Sequence, residues 1–332
     1  MLLSAPSERE KSALSDIIKK FFRMTFQQLE YIVAADEYRH FVNAATACGV
    51  TQSTLSTTIA KLEQEIDVVI FDRSKHPIEP TLLGQRIINQ AKVILHNSQQ
   101  LRDLVLNERE SDKGRLLIGI IPSASPYLYP FMARYLKDNF PHIRTVVTEA
   151  SPEELVEKIQ RSELDMAILA GSDIKDSNLL EIELFTERFM LYTSPASALW
   201  HREWIRPEDM MGGDMWSIRS FHDRYPQLAP YAHREEFHTS TFNAGSLTTL
   251  VNLVNANGGY TILPELMRKV LTPGEQQNLK PIQGPKFLRT ISLAIRQDYM
   301  RERMLNIVAD AVKHCVPAEM FNSRLHKFKI TL

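Results

Sequence analysis

Residues 48–66 read CGVTQSTLSTTIAKLEQEI, and this stretch decides the fold of the first part of the chain. Ser and Thr are mediocre helix formers, because their hydroxyls compete for nearby backbone groups. Leu55, Ile59, Leu62 and Ile66 nevertheless recur at spacings of four, three and four, the period of one buried helix face. The remaining positions carry Gln52, Ser53, Ser56, Thr57 and Thr58, a set of short hydroxyl and amide groups. Such groups approach nucleic-acid base edges and phosphates without filling a groove. Gln52 suits a bidentate contact to adenine, and Thr methyls suit thymine methyls. The competing reading is a plain solvated helix face.

The flanking sequence supports the first reading. Thr25 with Gln28 predicts a capping box at the start of FQQLEYIVAA. FVNAATACG reads as a second helix closed by Gly49, and Thr51 as the cap of the third. VVIFDR then reads as a strand and SKHPIEP as a Pro-punctuated turn. Helix, tight turn, helix and hairpin form the winged helix-turn-helix pattern, in which the second helix of the motif enters the DNA major groove.

From Thr81 to about residue 110 a single long helix is expected. Ile87, Ala91, Ile94, Ser98, Leu101 and Val105 alternate by four and three, a heptad seam broken only by Ser98 that suits pairing with a second chain, the other reading being one long helix on its own domain's core. The solvated stretch NERESDKGR follows it. After Gly114 the strands RLLIGII, RTVVTEA and DMAILAG alternate with the helices YPFMARYLKDNF and EELVEKIQRSE, a βαβαβ rhythm that predicts a parallel sheet. RFMLYTS, SLTTLVNLVNANG, GYTILP, RTISLAIR and the closing helix RERMLNIVADAVKHC continue it.

These residues resemble a known family. The segment 24–84 carries Ala44-Ala45, Val50-Thr51-Gln52, Leu55-Ser56, Leu62-Glu63, Ile70-Phe71-Asp72-Arg73 and Thr81 to Gly84, in the order shown by LysR-type transcriptional regulators. The resemblance implies a winged helix-turn-helix domain, a long linker helix, and an α/β periplasmic-binding-protein-like effector domain of two subdomains. The expected boundaries are an N-terminal extension at 1–23, the DNA-binding domain at 24–84 and the linker/dimerisation helix at 85–110. The regulatory domain spans 114–315, and a tail 316–332. Subdomain I takes about 114–190 and 289–315, and subdomain II about 191–288. Residues 1–23 include an amphipathic stretch, Leu14, Ile17, Ile18, Phe21 and Phe22, which suits either a packed helix or a functional arm.

The chain departs from the family at several positions. The usual Gly-Ser before the second helix is Arg39-His40, and the usual Gly before the hairpin is Asp67. Residues 24–86 hold five Lys/Arg against eight Asp/Glu, a net charge of −3. Weak non-specific DNA affinity is therefore expected of one such domain, with oligomer avidity compensating. The DNA-binding candidates are Thr51, Gln52, Ser53, Ser56, Thr57, Lys61, Arg73, Lys75 and Arg39, with His76 beside them.

SASPYLYP (123–130), SLTTLVNLVNANGGYTILPEL (246–266) and RTISLAIR (289–296) resemble the peroxide-sensing OxyR branch. Members that sense peroxide use a cysteine pair in the second half of the effector domain. The corresponding stretch here, WSIRSFHDRYPQLAPYAH, has none, and the whole chain holds only Cys48 and Cys315. Both read as structural. A small, polar or anionic effector is expected instead, bound between the two halves beyond the strand ends, where helix N-termini favour anions. The effector-binding candidates are Ser123, Ser125, Ser151, Ser217, Asn243 and Ser246, with Trp216 weaker. Each serine alone reads first as an N-cap, and Ser151 with Glu154 as a capping box.

The expected partners are double-stranded DNA, a small-molecule effector, a second copy of the chain in a homodimer that assembles to a tetramer, and RNA polymerase. No cofactor is expected. His222, His233 and His238 match no metal-ligand spacing. No Gly-rich phosphate loop, nucleophile elbow or zinc helix appears, so an enzyme is not expected. A formal net charge of −1, two distant cysteines, no membrane-length apolar run and no signal-peptide core give a cytoplasmic expectation. Two alternatives stand beside this reading: a ligand-binding module whose N-terminal domain only dimerises, and a redox-responsive regulator.

Overall fold

The computed structural model describes residues 24–107, 114–174, 178–210, 215–216, 246–284, 287–299 and 301–321. The N-terminal extension, Ser217, Asn243, the three histidines at 222, 233 and 238, and most of the tail lie outside the described residues. The chain forms two compact units, divided between Val105 and Leu106. Among the described residues no helix is long and apolar enough to cross a membrane.

The first unit opens with α1 (Phe26–Tyr38), α2 (Phe41–Ala47) and α3 (Gln52–Ile66). The expected capping box is present: Thr25 N donates to Gln28 Oε1 at 2.7 Å, and Gln28 N to Thr25 Oγ1 at 3.2 Å. Thr54 N donates to Thr51 Oγ1 at 3.2 Å, capping α3. Leu55, Ile59 and Leu62 are fully buried against Ile32, Ala35, Ala44 and Ala45, while Ile66 at the helix end is only partly covered. The two departures from the family's glycines share one geometry. Arg39 (φ 48°) ends α1 and Asp67 (φ 57°) ends α3, both in the left-handed region that glycine adopts without strain.

The strand expected over 68–73 shrinks to β1 (Phe71–Asp72), paired antiparallel with β2 (Glu79–Pro80). A carboxylate is the reason. Ile70 N and Phe71 N donate to Glu63 Oε1 at 2.7 and 3.1 Å, so α3 takes the donors that a longer strand would use. Arg73 Nη2 donates to Glu63 Oε2 at 2.9 Å, and the hairpin is pinned to α3 through one side chain.

The long helix α4 (Leu82–Asn107) docks backbone to backbone on this hairpin. Thr81 N donates to Ile70 O at 2.9 Å, Thr81 Oγ1 to Val69 O at 2.8 Å, and Gly84 N to Thr81 Oγ1 at 2.9 Å. A Cβ on Gly84 would lie 2.1 Å from Ile70 O. The heptad seam is shared rather than free along its length. Ala91 is buried with Ile88 in the unit's own core, and Ile87 and Leu95 pack on it. Ile94 and Leu101 remain 38% and 58% exposed.

The second unit holds a seven-stranded arrangement ordered β4-β3-β5-β9-β6-β7, with β8 also on β6. Its strands are β3 (Gly114–Ile120), β4 (Ile143–Glu149), β5 (Met166–Ala170), β6 (Leu179–Thr193), β7 (Tyr260–Pro264), β8 (Leu279–Pro281) and β9 (Leu288–Arg296). Only β4, β3 and β5 are parallel; β9 runs antiparallel to β5 and β6, and β7 and β8 antiparallel to β6. The parallel sheet expected of the βαβαβ stretch is present in β3, β4 and β5, but it does not extend to the strands that follow. The apolar pattern of a strand shows that it is buried, not which way it runs.

Strand β6 belongs to both subdomains. Up to Arg188 it pairs with β9, and from Phe189 it pairs with β7. The return crossing lies beside it, where Phe189 N donates to Phe287 O at 2.9 Å. The helices α5 (Ser125–Asn139), α6 (Pro152–Gln160), α7 (Leu247–Asn257), α8 (Pro273–Gln276) and α9 (Glu302–Cys315) complete the unit. Helix α5 begins one turn before its expected start at Tyr129, with Pro130 inside it. Burial of Tyr127 and Leu128 outweighs the hydrogen bond that Pro130 cannot donate.

Two substitutions test the first unit. Gly84→Ala forces α4 off Ile70 and is expected to cost about 1–3 kcal/mol. Asp67→Gly relieves a left-handed side chain and is expected to gain about 1 kcal/mol or less. Trp200, Trp204 and Trp216, the chain's three tryptophans, all lie in the second unit. Urea unfolding followed by far-UV dichroism should shift in these opposite directions, while the tryptophan transition stays in place.

Candidate DNA-reading face and candidate effector site

On α3 the buried Leu55, Ile59 and Leu62 turn Gln52, Ser53, Thr57 and Lys61 into solvent, with Ser56 half-covered. The hydroxyls divide into two groups. Thr51 Oγ1 caps the helix and lies 3.0 Å from Ser53 Oγ and 2.8 Å from Thr54 Oγ1. Thr58 Oγ1 donates back to Thr54 O at 2.8 Å. Gln52, Ser56 and Thr57 make no side-chain hydrogen bond to any described residue. They are the groups available to base edges. The basic candidates are all engaged. Arg39 pairs with Asp36 at 2.8 Å, Lys61 with Glu65 at 3.9 Å and Arg73 with Glu63 at 2.9 Å, while Lys75 pairs with Glu79. Arg73 also lies 5.7 Å from the centre of the Phe41 ring.

In the second unit, Ile120 of β3 pairs with Glu149 of β4, so the loops that follow leave the same end of the sheet. Ser123, Ser125 and Ser151 sit there. Ser151 is a plain N-cap, accepting from Glu154 N at 3.3 Å, and the reciprocal half of the expected capping box is missing because Glu154 turns to Lys158 at 3.6 Å. Ser123 is not free. Its Oγ and its carbonyl each accept from Arg289 at 2.9 Å. Ser125 is 9% exposed at the first position of α5, and its hydroxyl has no side-chain partner among the described residues. Ser246 occupies the N-cap position of α7 without capping it, so its hydroxyl is likewise uncommitted. Trp216 is built into the fold: its Nε1 donates to Gly258 O at 3.0 Å, and its carbonyl accepts from Thr261 Oγ1 at 2.7 Å.

Arg289 was not among the sequence candidates. It faces Glu187 across β9 and β6, and the two side chains are 1% and 0% exposed. Arg289 Nε donates to Glu187 Oε1 at 2.9 Å and Nη2 to the Tyr127 hydroxyl at 2.7 Å; that hydroxyl donates to Glu187 Oε1 at 2.5 Å. The guanidinium also sits 5.4 Å from the centre of the Phe189 ring. Burial raises the Glu187 pKa, with Arg289 opposing it, and holds Tyr127 well above the ordinary phenol value. The cluster ties the Ser123 loop and α5 to the two strands at the subdomain crossing. Its sequence signal was a pair of opposite charges on two apolar strands, 102 residues apart.

Burial, and then Glu30, raise the Cys48 pKa; burial pushes Cys315 up to about 11 despite Lys269 nearby. Among the described residues no cluster of three or more His, Cys, Asp or Glu is placed to hold a metal.

Arg289→Met would leave Glu187 as an uncompensated buried charge, and a loss of about 3–5 kcal/mol is expected at pH 8. Without the cation, the folded-state pKa of Glu187 rises further above its unfolded value. The ionised form then opposes folding as pH rises, so the deficit should shrink as pH falls. Glu187→Gln in the same chain should recover much of the loss. Urea unfolding followed by tryptophan fluorescence at pH 5 and pH 8 measures both effects.

Comparison with known proteins places these features. Residues 26–85 match the bacterial regulatory helix-turn-helix protein model of the lysR family, and residues 109–315 match the LysR substrate binding domain. The hydrogen peroxide-inducible genes activator of Haemophilus influenzae is 34% identical over 87% of this chain and 98% of its own length. The DNA-binding transcriptional dual regulator OxyR of Escherichia coli is 31% identical over 87% of this chain and 95% of its own. A full-length OxyR variant from Pseudomonas aeruginosa superposes with a TM-score of 0.74 at 28% identity, covering 88% of this chain and 99% of that one. With a winged helix-turn-helix unit, a long helix and a two-subdomain effector-binding domain in one order, the chain belongs to the LysR family of DNA-binding transcriptional regulators and is not an enzyme.

Proposed function

We propose that this regulator reads DNA through the outer face of α3 and answers to a small polar or anionic molecule bound between the subdomains of its effector domain, not to a disulfide. The carrying observation is the thiol inventory. The chain has two cysteines, one in each unit, and burial raises the pKa of both thiols. A disulfide switch needs two thiols that meet, at least one with thiolate character. The similarity to peroxide-inducible activators favours a redox signal, but their chemistry has no thiol pair here to run on.

Ser125 and Ser246 carry the effector proposal, because their hydroxyls stand at helix starts and have no side-chain partner among the described residues. Backbone N–H groups at such ends, with the helix dipole, favour negative charge. A ligand that prefers one orientation of the subdomains by a few kcal/mol is enough to shift the equilibrium between two states. The exposed Ile94 and Leu101 on α4 are proposed as a homodimer seam, from which the tetramer is built.

Three measurements test the proposal. Gln52→Ala is expected to relax base preference at one position per half-site by about 1–3 kcal/mol in competition gel shifts; identical binding to every operator variant would exclude that face. Cys48→Ser with Cys315→Ser should leave regulation intact, whereas Ser125→Ala with Ser246→Ala should blunt the response while DNA binding persists. Ile94→Glu with Leu101→Glu buries charge in the seam and should dissociate the assembly in sedimentation velocity.

A further inference from the structure

The DNA-binding unit arranges its charge so that its cations are covered. Residues 24–86 hold five Lys/Arg and eight Asp/Glu. Arg39, Lys61, Arg73 and Lys75 each lie against a carboxylate of the same unit. Lys92, further along α4, is also taken, at 3.3 Å from Asp36. Arg86 alone of the five is exposed without an acidic partner among the described residues.

These separations are well inside the Debye length of about 8–10 Å at physiological salt. A phosphate that reaches Lys61 or Lys75 therefore meets a carboxylate with it, and the local charge is close to zero. Such contacts displace few condensed counterions, and counterion release is the source of sequence-independent affinity. On the same helix, Gln52, Ser56 and Thr57 are neutral, outward and uncommitted.

We infer that Glu65 and Glu79 are specificity-determining residues: they shade Lys61 and Lys75 so that DNA is held only where the neutral groups of α3 fit the base edges. The inference rests on α3 being the DNA-reading face. The other two carboxylates have structural duties. Asp36 is 6% exposed and holds two cations, and Glu63 positions the hairpin. Glu79 is 49% exposed and, among the described residues, its side chain meets only Lys75; Glu65 also accepts from Gln28 Nε2 at 3.1 Å, an acceptor role that glutamine keeps. Glu37, exposed at the end of α1 and without a partner among the described residues, supplies a control for the loss of one negative charge.

The test uses the full chain and two labelled duplexes of equal length. One has random sequence; the other is selected from genomic fragments by the parent protein. Binding is read by fluorescence anisotropy across a salt series. The parent is expected to bind the random duplex weakly and with a shallow salt slope. Glu65→Gln with Glu79→Gln should tighten that binding about tenfold at low salt and steepen the log–log slope by about 1 for each lysine freed. The selected duplex should gain less, so the ratio between the two falls. Glu37→Gln should change either duplex less than twofold. Variants that match the parent on the random duplex, or a Glu37→Gln effect as large as the double variant's, would overturn the inference. A parent that binds no selected duplex at low salt would instead overturn the reading of α3 and, with it, this one.

Discussion

Arg289 and Glu187 meet across β9 and β6 with almost no exposure, at the place where the chain passes from one half of the effector domain to the other. A buried ion pair stands only when its hydrogen bonds are nearly complete, because each charge left unpaired there costs several kcal/mol. Tyr127 and both acceptors of Ser123 supply that completion. The loop after β3, the first turns of α5 and the two crossing strands therefore form one unit of structure. Movement of one half against the other has to work around this fixed point. The loop that opens toward the expected ligand region is fastened directly to it.

A second carboxylate plays the comparable part in the DNA-binding unit. Glu63 accepts two backbone donors from the turn into the hairpin and the guanidinium of Arg73. The hairpin then gives Ile70 O and Val69 O to Thr81, on which α4 is seated, and Gly84 is required because no side chain fits against Ile70. Helix α3, the hairpin and α4 are connected in series through Glu63 on one side and Thr81 on the other. The family's Leu-Glu and Thr-x-x-Gly signatures mark the two links of that series.

The two units differ in how they treat charge. In the effector domain the central pair is buried, and Glu187 Oε1 takes both Arg289 and Tyr127. In the DNA-binding unit the pairs around Lys61 and Lys75 are exposed, and exposed pairs contribute little to stability. Their consequence is for the approach of a polyanion rather than for folding.

Element types and their order were legible in the sequence because they are local. The spacing of Leu55, Ile59 and Leu62 forces a helix with one buried face, whichever neighbours it meets, and Thr25 and Thr51 cap helices through atoms a few residues away. That the chain holds only Cys48 and Cys315 was legible from composition alone. Whatever depended on contacts distant in sequence was not. Apolar strands gave burial without direction, so β9 was not foreseen as antiparallel to β5. The heptad gave a seam without an owner, and Ala91 went to its own core. Ser123 read as an N-cap or an effector candidate, because nothing near it in sequence announces Arg289, 166 residues away. The sequence by itself determined which segments are helices and strands, which family they compose and that only two cysteines are present. Only the tertiary structure decided which polar groups remain free to meet a ligand, because a buried charge takes its partners from wherever the fold brings them.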